Sequence, residues 1–288
     1  MPVQNFESVS LSILYIVATP IGNLEDVSTR AIQTLRSVDL IASEDTRITR
    51  KLLFHYDIKT RTISFNRVNA KQRIPTLLKH LESMNLALTS DAGTPGISDP
   101  GHELITAIDQ TMTQVIPIPG PSALTAVLSA APFPTDRFYF NGFAPRKEVE
   151  IDQMINIGRT LGVPIAMFES PRRIIALLTS LERKIPDTNI FIMREITKKF
   201  EDSFYGTPAA AKNYFLEPRG EFSIVVAPIS ESPSTLDHDA IERLVHSLED
   251  SGLKPREIAK SISSITRMSN SEAYKMIIEL KPEARDED

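Results

Sequence analysis

The sequence predicts an α/β fold, and two features of its first half carry that prediction. Short apolar runs typical of buried strands alternate with stretches whose apolar residues recur at helical spacing. Three of the runs end in turns rich in glycine and proline, and a helical pattern follows each turn. Alternating strands and helices build a mostly parallel sheet, whose strands have their carboxyl ends at one edge. We therefore expect the three turns to form one composite pocket.

The longest of the three turns, which we call the central loop, covers residues 91–101 and reads DAGTPGISDPG. It follows the apolar run Leu86–Leu88, and a helical pattern starts at Glu103. Glycine permits positive φ and close backbone approach, whereas proline fixes φ and removes a donor. A purely structural turn is the alternative, but long connections in compact domains are uncommon without a function. We expect the central loop to present shaped backbone to a ligand.

The remaining elements of the first half follow the same two patterns. The strand Ile13–Ala18 ends in the turn TPIGNL, which has neither the glycine spacing of dinucleotide-binding loops nor that of nucleoside-triphosphate loops. A helix is predicted from about Val27. Further strands are predicted over Leu40–Ala42, Thr62–Phe65 and Val115–Ile118, and further helices from Arg47, over Arg73–Leu81 and over Ala123–Ala131.

A second α/β unit follows the double proline break at Pro132 and Pro134. Its helix passes through Leu177 and Leu178. Its strands are predicted over Phe138–Phe140, Pro164–Phe168, Asn189–Met193 and Glu221–Ala227.

The last part of the chain is predicted to be helical. The Ser/Pro-rich segment Ile229–Asp237 resembles a linker, and three short amphipathic helices follow, with Gly252 ending the first and a capping box at Ser269–Glu272 starting the third. These helices suit either a helix-turn-helix unit or a plain bundle. The predicted domains are residues 10–123, 124–229 and 236–282.

Composition restricts the classes of function. Hydrophobic residues make up 41% of the 288 residues and charged residues 24%, which is typical of a soluble globular protein. No apolar run is long enough to cross a membrane, no signal peptide is visible, and no cysteine is present, so we expect a cytoplasmic protein. The net charge of −5 argues against non-specific binding of nucleic acid over the whole surface.

Basic residues nevertheless recur in clusters at predicted loop positions. Any single cluster suits a solvated surface, but together they indicate a face for an anionic ligand. The clusters are Arg47/Arg50/Lys51, Arg146/Lys147, Arg172/Arg173 and Lys198/Lys199.

The sequence contains no Ser/His/Asp arrangement, no metal-ligand spacing and no carboxylate pair set for acid–base work, and its five histidines are scattered. What remains is a backbone-lined pocket suited to a ligand that brings its own reactive group. S-adenosylmethionine is such a ligand, because in-line transfer of its methyl group depends mainly on proximity and orientation. We expect no metal.

Seven blocks stand in a fixed order along the chain: residues 18–24, 43–47, 90–101, 119–123, 142–147, 169–172 and 194–198. Together they resemble the tetrapyrrole methylase superfamily and, within it, the branch that modifies ribosomal RNA. The resemblance implies two α/β domains with the methyl donor in the cleft between them, plus the helical tail. It further implies a homodimer that 2′-O-methylates the ribose of a cytidine in the decoding region of 16S rRNA, with the small ribosomal subunit as partner.

The resemblance also implies roles for individual residues. Backbone groups should dominate the donor contacts, with Asp91 as the polar anchor, and Arg47, Arg146, Lys147 and Arg172 should contact phosphates. Ala144 and Phe200 depart from the family pattern at positions expected on the rim of the site. The implied donor contacts are Pro20, Asp91, Gly93, Ile97, Ser122, Ala123 and Phe168.

The group that accepts the proton of the ribose hydroxyl stays open at this point. The candidates at predicted strand ends are Glu44, Asp45, Glu169, Glu195 and Lys198, with a phosphate or water as a further possibility. For Glu44 and Asp45, a role in complementing a helix dipole fits equally well.

Two other functions are compatible with these observations. The first is a methyltransferase with the same donor site but a tetrapyrrole or other small-molecule acceptor, against which the helical tail and the block at residues 44–47 argue. The second is a non-catalytic RNA-binding assembly factor that retains a donor pocket.

Overall fold

The computed structural model describes residues 11–229, 238–265 and 268–280. It divides into two units, residues 1–229 and residues 230–288. The strands are β1 (Ser12–Val17), β2 (Leu40–Ser43), β3 (Arg61–Ser64), β4 (Leu86–Thr89), β5 (Thr113–Ile118), β6 (Tyr139–Phe143), β7 (Ile165–Glu169), β8 (Ile190–Arg194), β9 (Asp202–Gly206) and β10 (Phe222–Val226). The helices are α1 (Thr29–Ser37), α2 (Thr46–His55), α3 (Ala70–Leu81), α4 (His102–Ala107), α5 (Ala123–Ala130), α6 (Glu148–Leu161), α7 (Ile174–Lys184), α8 (Pro208–Tyr214), α9 (His238–Asp250), α10 (Pro255–Ile265) and α11 (Asn270–Glu279).

The first sheet is parallel, with strand order β3-β2-β4-β1-β5. Its central strands are buried on both faces, which explains their continuous apolar runs. Alternate residues face opposite cores, so Leu86 and Leu88 pack on one side and Ala87 on the other. The predicted mostly parallel sheet is thus confirmed for this half of the chain.

The order of the strands brings the three glycine- and proline-rich turns together. Strands β4, β1 and β5 are neighbours and run in the same direction, so their carboxyl ends share one edge. The turns that follow them must therefore converge at that edge, as the sequence predicts.

The second sheet is mixed, with strand order β6-β7-β10-β8-β9. Only the β6–β7 pair is parallel, whereas β10 runs antiparallel to both β7 and β8, and β9 antiparallel to β8. Strand β6 extends to Phe143 through an irregularity after Phe140, whereas the strand predicted from the sequence ends at Phe140. Gly142, with φ of 74°, allows that irregularity.

Three elements of the second half were not predicted: α6, β9 and α8. Helix α6 does carry a periodic signal, since Ile151, Met154, Ile155 and Gly158 are its buried positions. Its apolar stripe ends in a glycine because a Cβ on Gly158 would overlap the side chain of Ile165 in β7. Close packing of α6 on the sheet therefore requires a glycine at a buried position, and this glycine weakens the apolar pattern from which the helix could be predicted.

The second unit contains α9, α10 and α11 around a core that includes Val245, Ile258 and Ile277. The capping box is confirmed, because Ser269 and Glu272 exchange side-chain-to-backbone hydrogen bonds. Gly252, with φ of 80°, follows α9, and the N–H of Leu253 donates to the carbonyl of Leu248, as in a Schellman motif. Of the predicted linker, residues 230–237 lie outside the described residues. The three predicted domain boundaries stay predictions.

None of the helices in the described ranges is both long and apolar enough to cross a membrane.

Candidate functional site

Two of the converging turns are joined by paired backbone hydrogen bonds. The Thr19 N–H donates to the Gly93 carbonyl at 2.8 Å, and the Gly93 N–H donates to the Thr19 carbonyl at 3.0 Å. Gly93 adopts φ of 74°, a conformation that side-chain-bearing residues disfavour. The turn after β5 joins them at Gly120, where an added Cβ would lie 3.0 Å from the Cβ of Ala18. The three turns form one continuous wall of backbone.

A cavity of about 440 Å³ lies between this wall and the second sheet. Its size is within the usual range for small-molecule sites. The first sheet contributes Ile21, Ala92, Gly93, Thr94, Ile97, Ser98, Asp99, Ser122 and Ala123, and the second half of the unit contributes Phe143, Phe168, Glu169, Ser170, Pro171, Glu221, Phe222 and Ser223.

Most of the donor contacts named from the sequence meet at this cavity. Five of them line it directly: Gly93, Ile97, Ser122, Ala123 and Phe168. The other two are one residue away along the chain, since Pro20 precedes Ile21 and Asp91 precedes Ala92. The Asp91 carboxylate accepts a hydrogen bond from the Asp45 N–H at 2.9 Å, which ties the central loop to the start of α2. The roles of these residues in donor binding remain predictions.

Aromatic side chains from the second sheet form the apolar side of the cavity. The Phe168 ring contacts Phe140 and Phe143 edge-on, with ring centroids 5.2 and 5.9 Å apart. Phe143 lines the cavity and is 56% exposed. Sequence reasoning missed it because the predicted strand ends before it. The GF pair in the block at residues 142–147 was the available signal.

A partly buried carboxylate that the sequence analysis did not single out also lines the cavity. Burial raises the pKa of Asp99 to about 6, and the negative charge of Glu44 adds to the rise. Burial also raises the pKa of Glu44 and of Asp91, the other carboxyls near it. The prediction of a loop that acts mainly through its backbone, with Asp91 as the polar anchor, obscured Asp99, although Asp99 is the second carboxylate of that loop.

The five candidate proton acceptors are not equally available. Asp45 caps α2 and holds Arg47 at 2.6 Å, and its hydrogen bonds with Arg47 lower its pKa to about 2. Glu169 is buried at the cavity wall, where it pairs with Arg173 at 3.1 Å and accepts the Ser170 N–H. Glu44 accepts the Asp91 N–H.

Glu195 and Lys198 are bound to each other. Lys198 Nζ lies 2.9 Å from Glu195 and 3.0 Å from Glu221. Burial opposes the charged forms, but these hydrogen bonds outweigh it, so the pKa of Lys198 is raised and that of Glu195 is lowered. A permanently charged lysine is a poor proton acceptor.

The basic residues divide into structural and exposed ones. Arg173 donates to the carbonyls of Ala144 and Pro145 at 2.9 Å each, so this arginine supports the fold, whereas its neighbour Arg172 is exposed. Arg47, Arg146 and Lys147 are exposed, and Lys147 lies 3.2 Å from Glu150. Arg172 directly follows Pro171 of the cavity wall.

The expectation that Ala144 lies on the rim is wrong. Ala144 is buried in the core of the second sheet, and its N–H donates to the Phe168 carbonyl at 2.9 Å. A small residue fits there because the core side chains and Arg173 already fill the space. Phe200 is exposed, with Lys199 over its ring.

The loop after β8 contacts the turn after β1, and we call this contact the clasp. The aliphatic stem of Lys198 lies where a Cβ on Gly22 would be, and Thr197 Oγ1 donates to the Asp26 carboxylate. Thr197 has φ of 65°, an outlier for a β-branched residue that persists only where its surroundings hold it. The clasp therefore fixes the spacing of the two sheets beside Glu221 of the cavity.

The arrangement fits a methyl donor that is bound largely through backbone. At Gly93 no side chain separates the backbone from a ligand, the second sheet contributes aromatic side chains, and the lining includes three carboxylates, Asp99, Glu169 and Glu221. Within the described ranges, no three His, Asp or Glu side chains are grouped to hold a metal ion.

Comparison with known proteins agrees with this architecture. The family model for tetrapyrrole (corrin/porphyrin) methylases matches residues 13–211. The chain is 40% identical to ribosomal RNA small subunit methyltransferase I of Synechocystis sp. over 276 residues, which cover 94% of this chain and 99% of that protein.

Among solved structures, diphthine synthase superposes with a TM-score of 0.62 at 16% identity, covering 75% of this chain and 90% of its own. Uroporphyrin-III C-methyl transferase from Thermus thermophilus, complexed with S-adenyl homocysteine, superposes with a TM-score of 0.53 at 14% identity, covering 74% of this chain and 97% of its own. Identity this low establishes the fold alone, and the predicted fold class of two α/β halves is confirmed.

The clasp predicts a specific coupling between Gly22 and Lys198. Gly22→Ala should lower the free energy of unfolding by about 1–3 kcal/mol, because its methyl group displaces the Lys198 stem. In a Lys198→Ala background the same change should cost less than about 0.5 kcal/mol, since the space is then free. Chemical denaturation of the four proteins of this cycle measures both values. Strictly additive effects would show that the two residues do not interact.

Proposed function

Since the chain belongs to the tetrapyrrole (corrin/porphyrin) methylase family, we propose that it transfers a methyl group from S-adenosylmethionine to small-subunit ribosomal RNA. The acceptor that we propose is the ribose 2′-hydroxyl of one cytidine in the decoding region of 16S rRNA. The observation that carries the proposal is the 40% identity, over 94% of this chain, to a protein named ribosomal RNA small subunit methyltransferase I.

The donor is proposed to bind in the cavity, where it supplies an activated methyl group. The backbone around Gly93 and the N-terminal end of α5 at Ser122 and Ala123 provide polar contacts, and Phe168 with Phe143 provides a surface on which a purine ring can stack. Pro20, Asp91 and Ile97 complete the proposed set. Their contribution is to hold the methyl group in line with the acceptor oxygen.

We propose Asp99 as the group that accepts the proton. As the ribose oxygen bonds to the methyl carbon, the bond from that carbon to sulfur breaks, and the hydroxyl proton passes to a carboxylate oxygen of Asp99. A general base works best with a pKa near the working pH, and the raised pKa of Asp99, about 6, meets that condition in a group that lines the cavity. Of the earlier candidates, Glu44 is the nearest alternative, because burial also raises its pKa.

The exposed residues Arg47, Arg146, Lys147 and Arg172 are the proposed phosphate contacts. Because the protein carries a net charge of −5, it has little general affinity for RNA, and we propose the assembled small subunit as its substrate. The proposal includes a homodimer acting in the cytoplasm, where ribosomal subunits are found. A small-molecule acceptor and a non-catalytic assembly role are the competing functions, and the name of the relative at 40% identity favours neither.

Incubation with labelled S-adenosylmethionine and unmodified small ribosomal subunits tests the proposed function. We expect label on the ribose of a single decoding-region cytidine, located by nuclease digestion and mass spectrometry, and slower labelling of deproteinised rRNA. Label on a tetrapyrrole but not on subunits would contradict the proposal. Donor binding without transfer to any ribosomal particle would instead support the assembly factor.

The role of Asp99 predicts a pH profile. A base must be deprotonated, so kcat should fall as the pH drops through about 6, the pKa of Asp99. Asp99→Asn should lower kcat by about 10²- to 10⁴-fold and remove this dependence. Calorimetry of donor binding to the variant separates lost chemistry from lost binding. A variant with unchanged kcat, or with kcat lowered only because the donor no longer binds, would exclude Asp99 as the base.

A further inference from the structure

Helix α2 presents a basic and aromatic stripe on its outer face. Arg47, Arg50, Lys51 and Phe54 are exposed and follow helical spacing, whereas Thr49, Leu52 and Leu53 form the buried face. We call the four exposed residues the α2 stripe. Its side chains lie on the side of the helix that faces away from the core, so packing of α2 on the sheet does not explain them.

A groove lies at the C-terminal end of the α2 stripe, against the edge strand β3. Its volume is about 550 Å³, and Leu53 and Ile58, both buried, form its floor. Phe54 stands at its side and is 89% exposed. The rest of its lining is polar and includes three cations: Arg50, Lys59 and Arg61, with Thr60 and Thr62.

The charges of the groove are available to a ligand. In the described part of the chain, neither Arg50 nor Arg61 forms an ion pair, and Lys59 only approaches Asp57, at 3.9 Å, with both side chains exposed. An exposed pair of this kind contributes little. A protein with a net charge of −5 thus concentrates unpaired positive charge around one exposed aromatic ring.

We propose that this groove binds an unpaired nucleotide of the RNA substrate. The base stacks on the Phe54 ring, and Arg50 and Arg61 neutralise the adjoining phosphates, with Lys59 at the rim. Aromatic stacking combined with a cationic groove is the usual way in which proteins hold single-stranded nucleic acid. The inference rests on the proposed function and adds an RNA contact away from the cavity.

The position of the α2 stripe suits this role. Helix α2 begins directly after Asp45, whose N–H donates to Asp91 at the start of the central loop. From Arg47 to Phe54 the helix rises about 10 Å, which a few nucleotides of extended RNA can span. One strand leaving the acceptor position can therefore follow the stripe into the groove.

Neither protection of the sheet edge nor contact with a second copy of the chain accounts for the groove as well as RNA does. Charged residues on an edge strand prevent unwanted strand pairing, but that role does not require the exposed ring of Phe54. A second copy whose two-fold axis passed through the groove would place the cations of one groove against those of the other. Phosphates match the charge of the groove, and a second cationic groove does not.

Three variants of the full-length protein test the proposal: Phe54→Ala, Phe54→Trp and the charge reversal Arg50→Glu with Arg61→Glu. The measurements are the Kd for unmodified small ribosomal subunits, by thermophoresis at several salt concentrations, together with KM and kcat for methyl transfer. Leu216→Ala, at an exposed apolar site, and Lys71→Glu with Lys79→Glu, on the outer side of α3, are matched controls.

We expect Phe54→Ala to raise Kd and KM for subunits by about 5- to 100-fold with donor affinity and kcat unchanged, and Phe54→Trp to retain binding. The charge reversal should weaken binding and reduce its salt dependence. Because Arg61→Glu still leaves a charge on the edge strand β3, protection of that edge against strand pairing is retained. Variants that bind subunits like the wild type, or that weaken binding only by dissociating a dimer, would overturn the inference. If the wild type binds subunits through Phe54 but transfers no methyl group, the proposed function is wrong, whereas the proposed role of the groove in binding RNA is supported.

Discussion

The pair of backbone hydrogen bonds between Thr19 and Gly93 is the contact on which the site depends. It fuses the turn after β1 with the central loop, and it forms only because β1 and β4 are adjacent parallel strands whose carboxyl ends coincide. A left-handed conformation at Gly93 turns the loop back toward Thr19 at that point. This junction places Ile21 and Ala92 of the cavity lining, and the close approach of Gly120 to Ala18 places the turn that precedes Ser122.

The second sheet supplies the aromatic and charged side chains that the backbone wall lacks. It brings an apolar aromatic surface from β6 and β7 and a buried carboxylate, Glu169, which Arg173 holds in place. The two halves are kept at a fixed separation by the clasp, in which Lys198 is bound by two carboxylates and packs against Gly22. The residues thus divide into those that shape the cavity, those that carry charge in its lining and those that hold its two walls together. Only the first two groups face a ligand.

The sequence predicted the elements of the first sheet well because buried parallel strands and glycine- and proline-rich turns leave strong local signals. It predicted the second sheet less well, since β9 is a half-exposed edge strand and the stripe of α6 ends in Gly158, which close packing requires. Whether Arg172 or Arg173 faces solvent depends on the residue at which helix α7 begins. Two adjacent arginines in the sequence do not reveal that position. The contact of Lys198 with Gly22 joins residues far apart in the chain, and the raised pKa of Asp99 depends on burial and on Glu44, so neither is visible in local sequence.

We propose that the cavity formed by the three turns and the aromatic wall binds the methyl donor. The most direct test is a crystal structure of the protein with S-adenosylhomocysteine, the product that remains after transfer. We expect the ligand in the cavity, with its polar groups on the backbone around Gly93 and Ala123 and its purine against Phe168. A ligand bound outside this cavity, or contacting the second sheet without the central loop, would contradict it.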